Sequence, residues 1–552
     1  MSEPAIAEPA IDIEERRRPV PPPALVAALL LGAVMIGAAA IGGLFEPTET
    51  RYAEIAREMQ ASGDWLVPRL NGIMHLHKPP LSYWAAAIGM KALGGDSAGA
   101  RIPAALAGVV MLIALACATR RRFATLAGNS PLAVWLLGTS VLFVGLSRSL
   151  ASDPFLGAGV ALFWACAPSP WALAGIGIGF LAKGPVVLVH TLLPLLVLGL
   201  WQRDRRPLGM LAPAWGWWIA AAIGLPWFIA VIAKVPGLLS YFLVHQTWER
   251  FTTTVHQRAG PPWYFVAVLI AGMLPWTPLL IAGIGNAIRT LRSAVPPPHS
   301  DAARTADQTR AALAWLFVPL VFFSFSGSKL PAYLLPCLPA AALLTASGAG
   351  SVIARRVSAL LLAGLAIAGA FAGPSILAKQ ISLDPSHPLP LPAGLWVALA
   401  AFALASFWTL RGRLVAAAML VVVAFVAAEI GLAPYEGPLG SPRPAIRLLA
   451  SQVRPHEPVI EVGKFNSAVP FYLGRTVLLL EVPREQRLDV SSELAAVTVT
   501  ADSLPVLVER HGRVWLVGPE PAVRALADRT RLRFSALTYW RRQIIGFVAR
   551  PG

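Results

Sequence analysis

The first polar segment of the chain, residues 45–84, carries side chains that could hold a phosphate and move a proton. Directly after an apolar run, ionisable and phenolic residues occur at helical spacing. They are Glu49, Arg51, Tyr52, Glu54, Arg57 and Glu58. His75, His77 and Lys78 then precede Pro79-Pro80. Lys and Arg bind phosphates, while carboxylates and imidazoles transfer protons or bind metals. Because a bilayer penalises such groups unless they face protein, water or a polar ligand, the segment indicates a site.

The composition places that segment in a membrane protein. The chain has 552 residues, of which 56% are hydrophobic and 14% charged, with a mean hydropathy of +0.62. A soluble protein typically has about 25% charged residues. The net charge of +17 lies mostly in short loops between apolar runs. This distribution follows the positive-inside rule for cytoplasmic loops and argues against a nucleic-acid-binding protein.

Thirteen apolar intervals are predicted to be transmembrane helices because their lengths are close to those of membrane spans. They lie at about 24–44, 98–118, 131–147, 154–167, 171–182, 186–201, 212–234, 263–284, 312–326, 331–350, 357–376, 394–409 and 414–433. With residues 1–23 as a cytoplasmic tail, every Arg cluster falls on the cytoplasmic side. The count leaves 45–97 and 235–262 as outer loops and puts the C-terminus outside.

Residues 434–552 are predicted to form a small soluble α/β domain on the outer side. Apolar runs of strand length occur at 458–462, 477–482, 495–499 and 513–518, and helical patterns lie between them. Alternating strands and helices indicate a sheet that is at least partly parallel. We predict an unstructured link at 293–310. The three cysteines lie in apolar segments without CxxC spacing, which predicts buried free thiols.

Further ionisable residues fall on the outer side of this topology. Lys183 ends a short apolar run before Gly184-Pro185, so it predicts a broken helix with a cation near the membrane. Lys329 and Tyr333, in SGSKLPAY, have the same character, and Asp153 and His256 lie at outer span ends or loops. The mixed set suits a phosphorylated lipid whose apolar tail lies along the helices. A structural alternative is that Glu54 and Glu58 pair with Arg51 and Arg57.

Several motifs resemble the bacterial GT-C class of glycosyltransferases that use polyprenol-phosphate-linked sugars. Within that class they are most similar to the lipid A aminoarabinose transferases. In chain order the motifs are PTETRYAEIAREMQASGDWLVPRLNG, HKPPLSYW, FLAKGP, VHQRAGPPWYF and SGSKLPAYLLPC. The resemblance implies thirteen helices of the GT-C type and an outer C-terminal domain. It also implies transfer of 4-amino-4-deoxy-L-arabinose or a related sugar from undecaprenyl phosphate to lipid A, at the periplasmic side of the inner membrane.

The same resemblance implies roles for individual residues. It places five residues around the carrier phosphate: Arg51, Tyr52, Lys78, Lys183 and Tyr333. The set of ionisable residues on the predicted outer side adds Lys329. Asp153 would be the second acid, and His256 a ligand of a divalent metal.

The chain departs from the family at two positions. Relatives usually have Asp-Glu where this chain has Thr48-Glu49, and Glu where it has His77. Two imidazoles, His77 and His256, would still suit zinc. A Thr hydroxyl cannot act as a base, so either Glu49 takes over, the acceptor is itself anionic, or the enzyme is impaired. A phosphate acceptor such as lipid A needs no deprotonation.

Three alternatives remain open from the sequence. The acceptor could be a glycan, another lipid or a protein; the chain could transport a lipid-linked sugar; or it could bind lipid without catalysis. Polar groups gathered at one membrane surface argue against the transporter. Nothing in the sequence requires more than a monomer.

Overall fold

The computed structural model describes residues 22–94, 97–128, 131–242, 260–293, 297, 300–381, 391–482 and 491–550. The segment after the first helix, predicted to be an outer loop, folds into two helices joined by a short antiparallel hairpin. The elements of this first part are α1 (Pro22–Ala39), α2 (Thr48–Ser62), β1 (Arg69–Leu70), β2 (Ile73–Met74), α3 (Leu81–Leu93), α4 (Ser97–Arg121) and α5 (Ala124–Ala127). The helical spacing noted between Glu49 and Glu58 is thus confirmed as helix α2.

The middle of the chain is almost entirely helical. Its first half contains α6 (Leu132–Gly138), α7 (Val141–Ser147), α8 (Asp153–Cys166), α9 (Pro170–Lys183), α10 (Val186–His190), α11 (Leu192–Gln202), a 3-10 turn (Arg206–Leu211), α12 (Gly216–Gly224), α13 (Pro226–Lys234) and α14 (Leu238–Ser240). Its second half contains α15 (Tyr264–Gly272), α16 (Thr277–Arg292), α17 (Asp301–Ser324), a 3-10 segment (Pro331–Cys337), α18 (Leu338–Ser347), α19 (Val352–Ile381), α20 (Ala393–Leu410) and α21 (Leu414–Leu432).

Each predicted membrane interval is helical over most of its length, so the chain is a multi-pass membrane protein. Among the described residues, five helices are long and apolar enough to cross a membrane, or six if α15 and α16 form one broken span with a 115° bend. The other intervals are shorter or interrupted, as where α6 ends before Thr139 and α7 begins at Val141. The count of thirteen complete crossings stays a prediction.

The predicted link at 293–310 is wrong in its second half, because α17 begins at Asp301. The Ser300 hydroxyl caps this helix by accepting a hydrogen bond from the Ala303 amide, and Asp301 lies in the first turn. Both features stabilise a helix N-terminus. A polar composition therefore concealed a capped helix that extends beyond the apolar run.

The C-terminal part is the predicted α/β domain, with a five-stranded sheet in the order β4-β3-β5-β7-β6. Its elements are a 3-10 turn (Ala433–Tyr435), α22 (Arg443–Gln452), β3 (Val459–Val462), α23 (Ala468–Leu473), β4 (Leu478–Leu480), α24 (Ser491–Val497), a 3-10 turn (Ala501–Ser503), α25 (Leu504–His511), β5 (Arg513–Pro519), α26 (Glu520–Thr530), β6 (Arg533–Trp540) and β7 (Gln543–Ala549). Strand β3 pairs in parallel with β4 and β5, and β7 pairs antiparallel with β5 and β6.

One predicted strand of this domain is wrong. Residues 495–499 belong mainly to α24, and only Thr498 forms an isolated bridge, to Leu479. A short apolar run fits a strand and a buried helix equally well, so periodicity alone could not distinguish them. The sequence analysis also missed α25 and the β6–β7 hairpin.

Candidate functional site

A buried ion pair joins two antiparallel helices at the ends predicted to face outward. Lys183, the last residue of α9, donates a 2.5 Å hydrogen bond to the carboxylate of Asp153, the first residue of α8. Only 11% of the Lys183 side chain and 13% of the Asp153 side chain are exposed. An acid at a helix N-terminus and a cation at a C-terminus both complement the helix dipole. The pair therefore lies where both helices favour its charges.

Glycines allow these two helices to pack closely enough for the pair to form. A Cβ atom added to Gly159 of α8 would lie 2.4 Å from the carbonyl oxygen of Gly175 in α9. Any larger residue at Gly159 would thus push the helices apart. At the outer end, α9 stops at Gly184, whose φ of +74° is readily adopted only by glycine. The predicted helix break after Lys183 is confirmed.

Two tyrosines lie beside the ion pair. The Lys183 Nζ atom is 4.8 Å from the centre of the Tyr333 ring, which is suitable for a cation–π contact. The Tyr52 hydroxyl of α2 donates to the Ser152 Oγ atom, one residue before Asp153, at 3.5 Å. Burial raises the pKa of the Tyr52 phenol, so the group stays protonated at neutral pH. The structure thus brings together four of the predicted site residues.

The hairpin that follows α2 adds imidazoles and cations. The His75 and His77 rings lie 4.1 Å apart, centre to centre, and the His77 ring stacks 6.4 Å from that of Tyr241. Burial, followed by the charges of Arg51 and Lys78, lowers the pKa of His75 to about 3. His75 is therefore neutral at physiological pH. The charge of Arg51 partly opposes the rise in the pKa of Tyr52, so Arg51 is close enough to affect both His75 and Tyr52.

The hairpin is held in place by the C-terminal domain. Asn71 donates to the Val477 carbonyl at 2.9 Å and accepts from the Val477 amide at 2.8 Å. Glu493 accepts from the Arg69 guanidinium at 2.5 Å and from the Met74 amide at 2.8 Å. These bonds fix the chain immediately before His75. The sequence analysis missed Asn71 and Glu493, because their partners are about four hundred residues away in the chain.

The acids of α2 have structural partners. Arg57 pairs with Glu54 three residues earlier and also donates to the Gly474 carbonyl at 3.1 Å. Glu58 accepts from the amide of Gly72 in the hairpin turn at 2.9 Å. The structural interpretation of Glu54 with Arg57 is therefore confirmed, whereas Glu58 binds backbone.

Glu49 occupies a separate, fully bonded position. Its two oxygens accept hydrogen bonds from the Arg101 Nε and Nη2 atoms and from the amides of Phe45 and Leu150. Arg101 also donates to the Gly43 carbonyl at 2.7 Å. We infer that this pair braces the turn between α1 and α2 against the start of α4. The prediction that Glu49 acts in catalysis stays untested.

Arg101, the partner of Glu49, was not predicted from the sequence, although its position gives a signal. It lies inside the predicted second span, where a charged side chain is costly without a partner. Only 8% of its side chain is exposed. An isolated arginine near the start of an apolar run was the available signal.

Thr48 lines a cavity of about 570 Å³ between α1 and α21. The same cavity is lined by Glu49, Arg101, and the Arg148–Glu429 ion pair, whose atoms are 2.7 Å apart. Asp153 and Lys183, both in the described part of the chain, do not line this cavity. Thr48 and Asp153 thus face different environments at the outer end of the helices.

The remaining predicted site residues are placed as follows. Lys329 is 9% exposed, and its Nζ atom donates to the Gly260 carbonyl at 2.8 Å. His256 lies outside the described residues. Within the described ranges, no group of three His, Cys, Asp or Glu side chains is arranged to hold a metal ion. His75 and His77 lie close enough together to supply two imidazole ligands. The predicted metal site at His77 and His256 stays a prediction, because the structure does not describe His256.

Sequence comparisons relate the chain to named glycosyltransferases. A family model described as dolichyl-phosphate-mannose-protein mannosyltransferase matches residues 77–233. Three relatives, each named as an undecaprenyl phosphate-alpha-4-amino-4-deoxy-L-arabinose arabinosyl transferase, are 32% identical to this chain. They come from Pseudomonas fluorescens (57% of this chain and 57% of the relative), Serratia proteamaculans (61% and 61%) and Erwinia tasmaniensis (63% and 63%). The matched regions thus span less than two thirds of these relatives.

Two solved structures share the fold over nearly the whole chain. ArnT from Cupriavidus metallidurans in the apo state is 25% identical with a TM-score of 0.75, and the form bound to undecaprenyl phosphate is 24% identical with a TM-score of 0.74. Each alignment covers 95% of this chain and 97% of the other. The resemblance to the polyprenol-phosphate-dependent glycosyltransferases and the GT-C-type fold are therefore confirmed.

Proposed function

We propose that this chain is a membrane glycosyltransferase that moves a sugar from undecaprenyl phosphate to lipid A. The sugar is 4-amino-4-deoxy-L-arabinose or a close relative, and the reaction takes place at the periplasmic face of a bacterial inner membrane. The observation that carries the proposal is the buried Lys183–Asp153 pair, with Tyr333 and Tyr52 beside it. The relatives named as arabinosyl transferases and the bound undecaprenyl phosphate in ArnT support it.

The cations stabilise the carrier phosphate as it leaves. The bond from the sugar C1 atom to the phosphate oxygen breaks, and its electron pair stays on the phosphate. Lys183, Arg51 and Lys78 then face the charge that develops there. Preorganised cations in a partly buried site are worth more than in water, because little solvent screens them.

Asp153 orients Lys183 until the donor arrives. The Lys183 ammonium has three N–H donors, so it can bind a phosphate oxygen while it remains close to Asp153. Tyr333 can donate a hydrogen bond to the same phosphate, and Tyr52 can do so when its hydroxyl turns away from Ser152.

The acceptor attacks C1 from the opposite face, so the configuration inverts. A lipid A phosphate oxygen already carries the electron pair that forms the new C1–O bond, and no base is needed. An anionic acceptor is favoured, because Thr48 cannot deprotonate a hydroxyl. If a divalent ion is bound, His77 and His256 would hold it, and it would add positive charge near the phosphate. No step above depends on it.

Two cation variants test the proposal. We expect Lys78→Ala and Arg51→Ala to lower transfer from undecaprenyl-phosphate-linked aminoarabinose to lipid A by about 10²–10³-fold, as for other preorganised charge-stabilising groups. Lys91→Ala is the matched control, because Lys91 is exposed at the end of α3 in the same outer segment. Its rate should stay within about twofold, as for surface substitutions generally.

Near-normal transfer by both cation variants would overturn the assignment of the site. Replacing lipid A with glycan, protein or other lipid acceptors tests the acceptor. Transfer to one of these in preference to lipid A would keep the donor and reject the acceptor. Absence of turnover by the wild-type protein with every acceptor would favour a non-catalytic lipid-binding protein.

A further inference from the structure

A second cavity, of about 870 Å³, lies at the other end of the helices that carry the candidate site. Helix α8 begins at Asp153 and ends at Cys166, and α9 begins at Pro170 and ends at Lys183. The cavity is lined by the end of α8 and the turn that follows it, residues 165–169. It therefore opens on the opposite side of the membrane from the Asp153–Lys183 pair.

Arginines from three parts of the chain converge on this cavity. The five that line it are Arg121, Arg122, Arg206, Arg304 and Arg310. Two acids, Asp204 and Asp307, also line it, so the lining carries a net charge of +3. The positive-inside rule explains why arginines occur on this side, but it does not require that they surround a common cavity.

Internal contacts fix the walls of the cavity. The Arg122 guanidinium donates to the Ala167 carbonyl and to the Met210 sulfur, both at 2.9 Å. The Gln308 side-chain oxygen accepts from the Thr125 amide at 3.1 Å and from the Thr125 hydroxyl at 2.9 Å. The Gln308 bonds connect α17 to α5, and the Arg122 bonds connect the residue after α4 to the turn after α8 and to the 3-10 turn Arg206–Leu211. The site is therefore preformed.

The cavity lies at the depth of a lipid head group. Trp201 lines it and is 49% exposed, and its neighbour Leu200 is 79% exposed. Exposed tryptophan beside exposed leucine is typical of the boundary between head groups and acyl chains. Apolar side chains, including those of Leu198 and Cys166, complete the lining. A basic rim with apolar walls fits a phosphate attached to a glycerolipid better than a small hydrophilic anion.

We propose that this cavity binds the head group of an anionic phospholipid from the leaflet opposite the candidate site. Guanidinium groups match phosphate oxygens bidentately, and basic pockets between membrane helices bind such head groups. The lipid ties together the end of α4, the 3-10 turn after α11 and the N-terminal part of α17, where these arginines lie. The inference is independent of the sugar-transfer reaction, because none of its residues belongs to the outer site.

Binding of cardiolipin to the purified full-length chain tests the proposal, with native mass spectrometry as the readout. The test variant is Arg121→Gln combined with Arg206→Gln, because both side chains are exposed and their loss leaves the core intact. The matched control is Arg289→Gln combined with Arg292→Gln, at the basic end of α16 and outside the cavity lining. Phosphatidylcholine and inorganic phosphate are the comparison ligands.

We expect the cavity variant to bind cardiolipin about tenfold more weakly, which corresponds to a loss of about 1.4 kcal/mol. The control should bind within about twofold of the wild type, since only nonspecific attraction is lost. Equal weakening in both variants, or equal binding of phosphatidylcholine, would overturn the proposal. If inorganic phosphate displaces cardiolipin at low millimolar concentration, the site is one for a free anion and the lipid assignment fails.

Discussion

Two buried ion pairs lie at the outer ends of the helices, and they differ in how completely their carboxylates are bonded. Glu49 receives two hydrogen bonds from Arg101 and two from backbone amides. For Asp153, the described part of the chain shows one such donor, Lys183. Lys183 also contacts the ring of Tyr333. The Glu49–Arg101 pair is thus a closed pair, because the protein itself fills the acceptor positions of its carboxylate. The Asp153–Lys183 pair is an open pair, because it keeps bonding capacity for a ligand.

The difference shows how to choose between acids that look equivalent in a sequence. Both carboxylates are mostly buried, and both have a cation within 2.5 Å. Burial and charge therefore do not distinguish them. The number of donors does, because a carboxylate with its acceptor positions filled can take a proton or ligand only by losing those bonds.

Removing the cation of the open pair should have the largest effect on activity. We expect Lys183→Ala to lower sugar transfer by about 10²–10³-fold, because the leaving phosphate loses a preorganised donor. Lys183→Arg keeps the charge and should recover part of the rate. The measurement is the initial rate with saturating lipid A. If Lys183→Ala retained most of the wild-type rate, the open pair would not be the catalytic one.

Breaking the closed pair should affect stability more than chemistry. Glu49→Gln leaves the buried Arg101 without a charged partner, and losing one partner of a buried pair typically costs about 3–5 kcal/mol. Thermal unfolding in detergent measures the loss. The rate per folded molecule should stay within about threefold of the wild type, because the brace lies outside the reacting groups. Unchanged stability with a large loss of rate would instead make Glu49 catalytic.

The third buried carboxylate, that of Glu461, has no cationic hydrogen-bond partner among the described residues. Glu461 of β3 is fully buried and accepts hydrogen bonds from the amide and the side chain of Asn466. Burial raises its pKa well above 4.5, although the Asn466 bonds oppose this, and the nearby Glu46 raises the pKa further. The folded state therefore binds a proton that the unfolded chain releases near its ordinary pKa.

This difference gives a pH dependence of the opposite sign from that of a salt-bridged acid. The contribution of Glu461 to stability is fully present below pH 4.5 and is lost as the pH rises through the folded-state pKa. We expect the melting temperature of the wild type to fall as the pH rises from 4.5 through the folded-state pKa of Glu461, and Glu461→Gln to reduce that fall. The effect should be the smallest of the three. Parallel pH curves for the two proteins would contradict it.

The sequence predicted the positions of the outer site better than the bonds within it. Lys183, Asp153, Tyr333 and Tyr52 were each identified from residue type and from location at a span end, and the structure places them together. Their grouping was implied by the family resemblance and by a topology count. Hydropathy sets topology reliably, because a long apolar run has few alternatives to the bilayer.

Contacts between residues far apart in the sequence could not be predicted from residue type, spacing and hydropathy. Arg101 was overlooked as the partner of Glu49, and Asn71 and Glu493 were overlooked as anchors of the hairpin. In the C-terminal domain the β6–β7 hairpin was missed, and residues 495–499 were assigned to a strand. These cases depend on which elements pack against each other, and a local pattern does not contain that information.

The sequence by itself determined the membrane class, the helical intervals, the α/β character of the C-terminal domain and the end of the helices where polar chemistry gathers. It did so because the bilayer and the backbone impose local rules on composition and spacing. Only the tertiary structure decided which carboxylate is closed and which is open, and that five arginines surround one cavity on the opposite side. Those properties depend on distances between side chains far apart in the chain, which are fixed only when the helices pack.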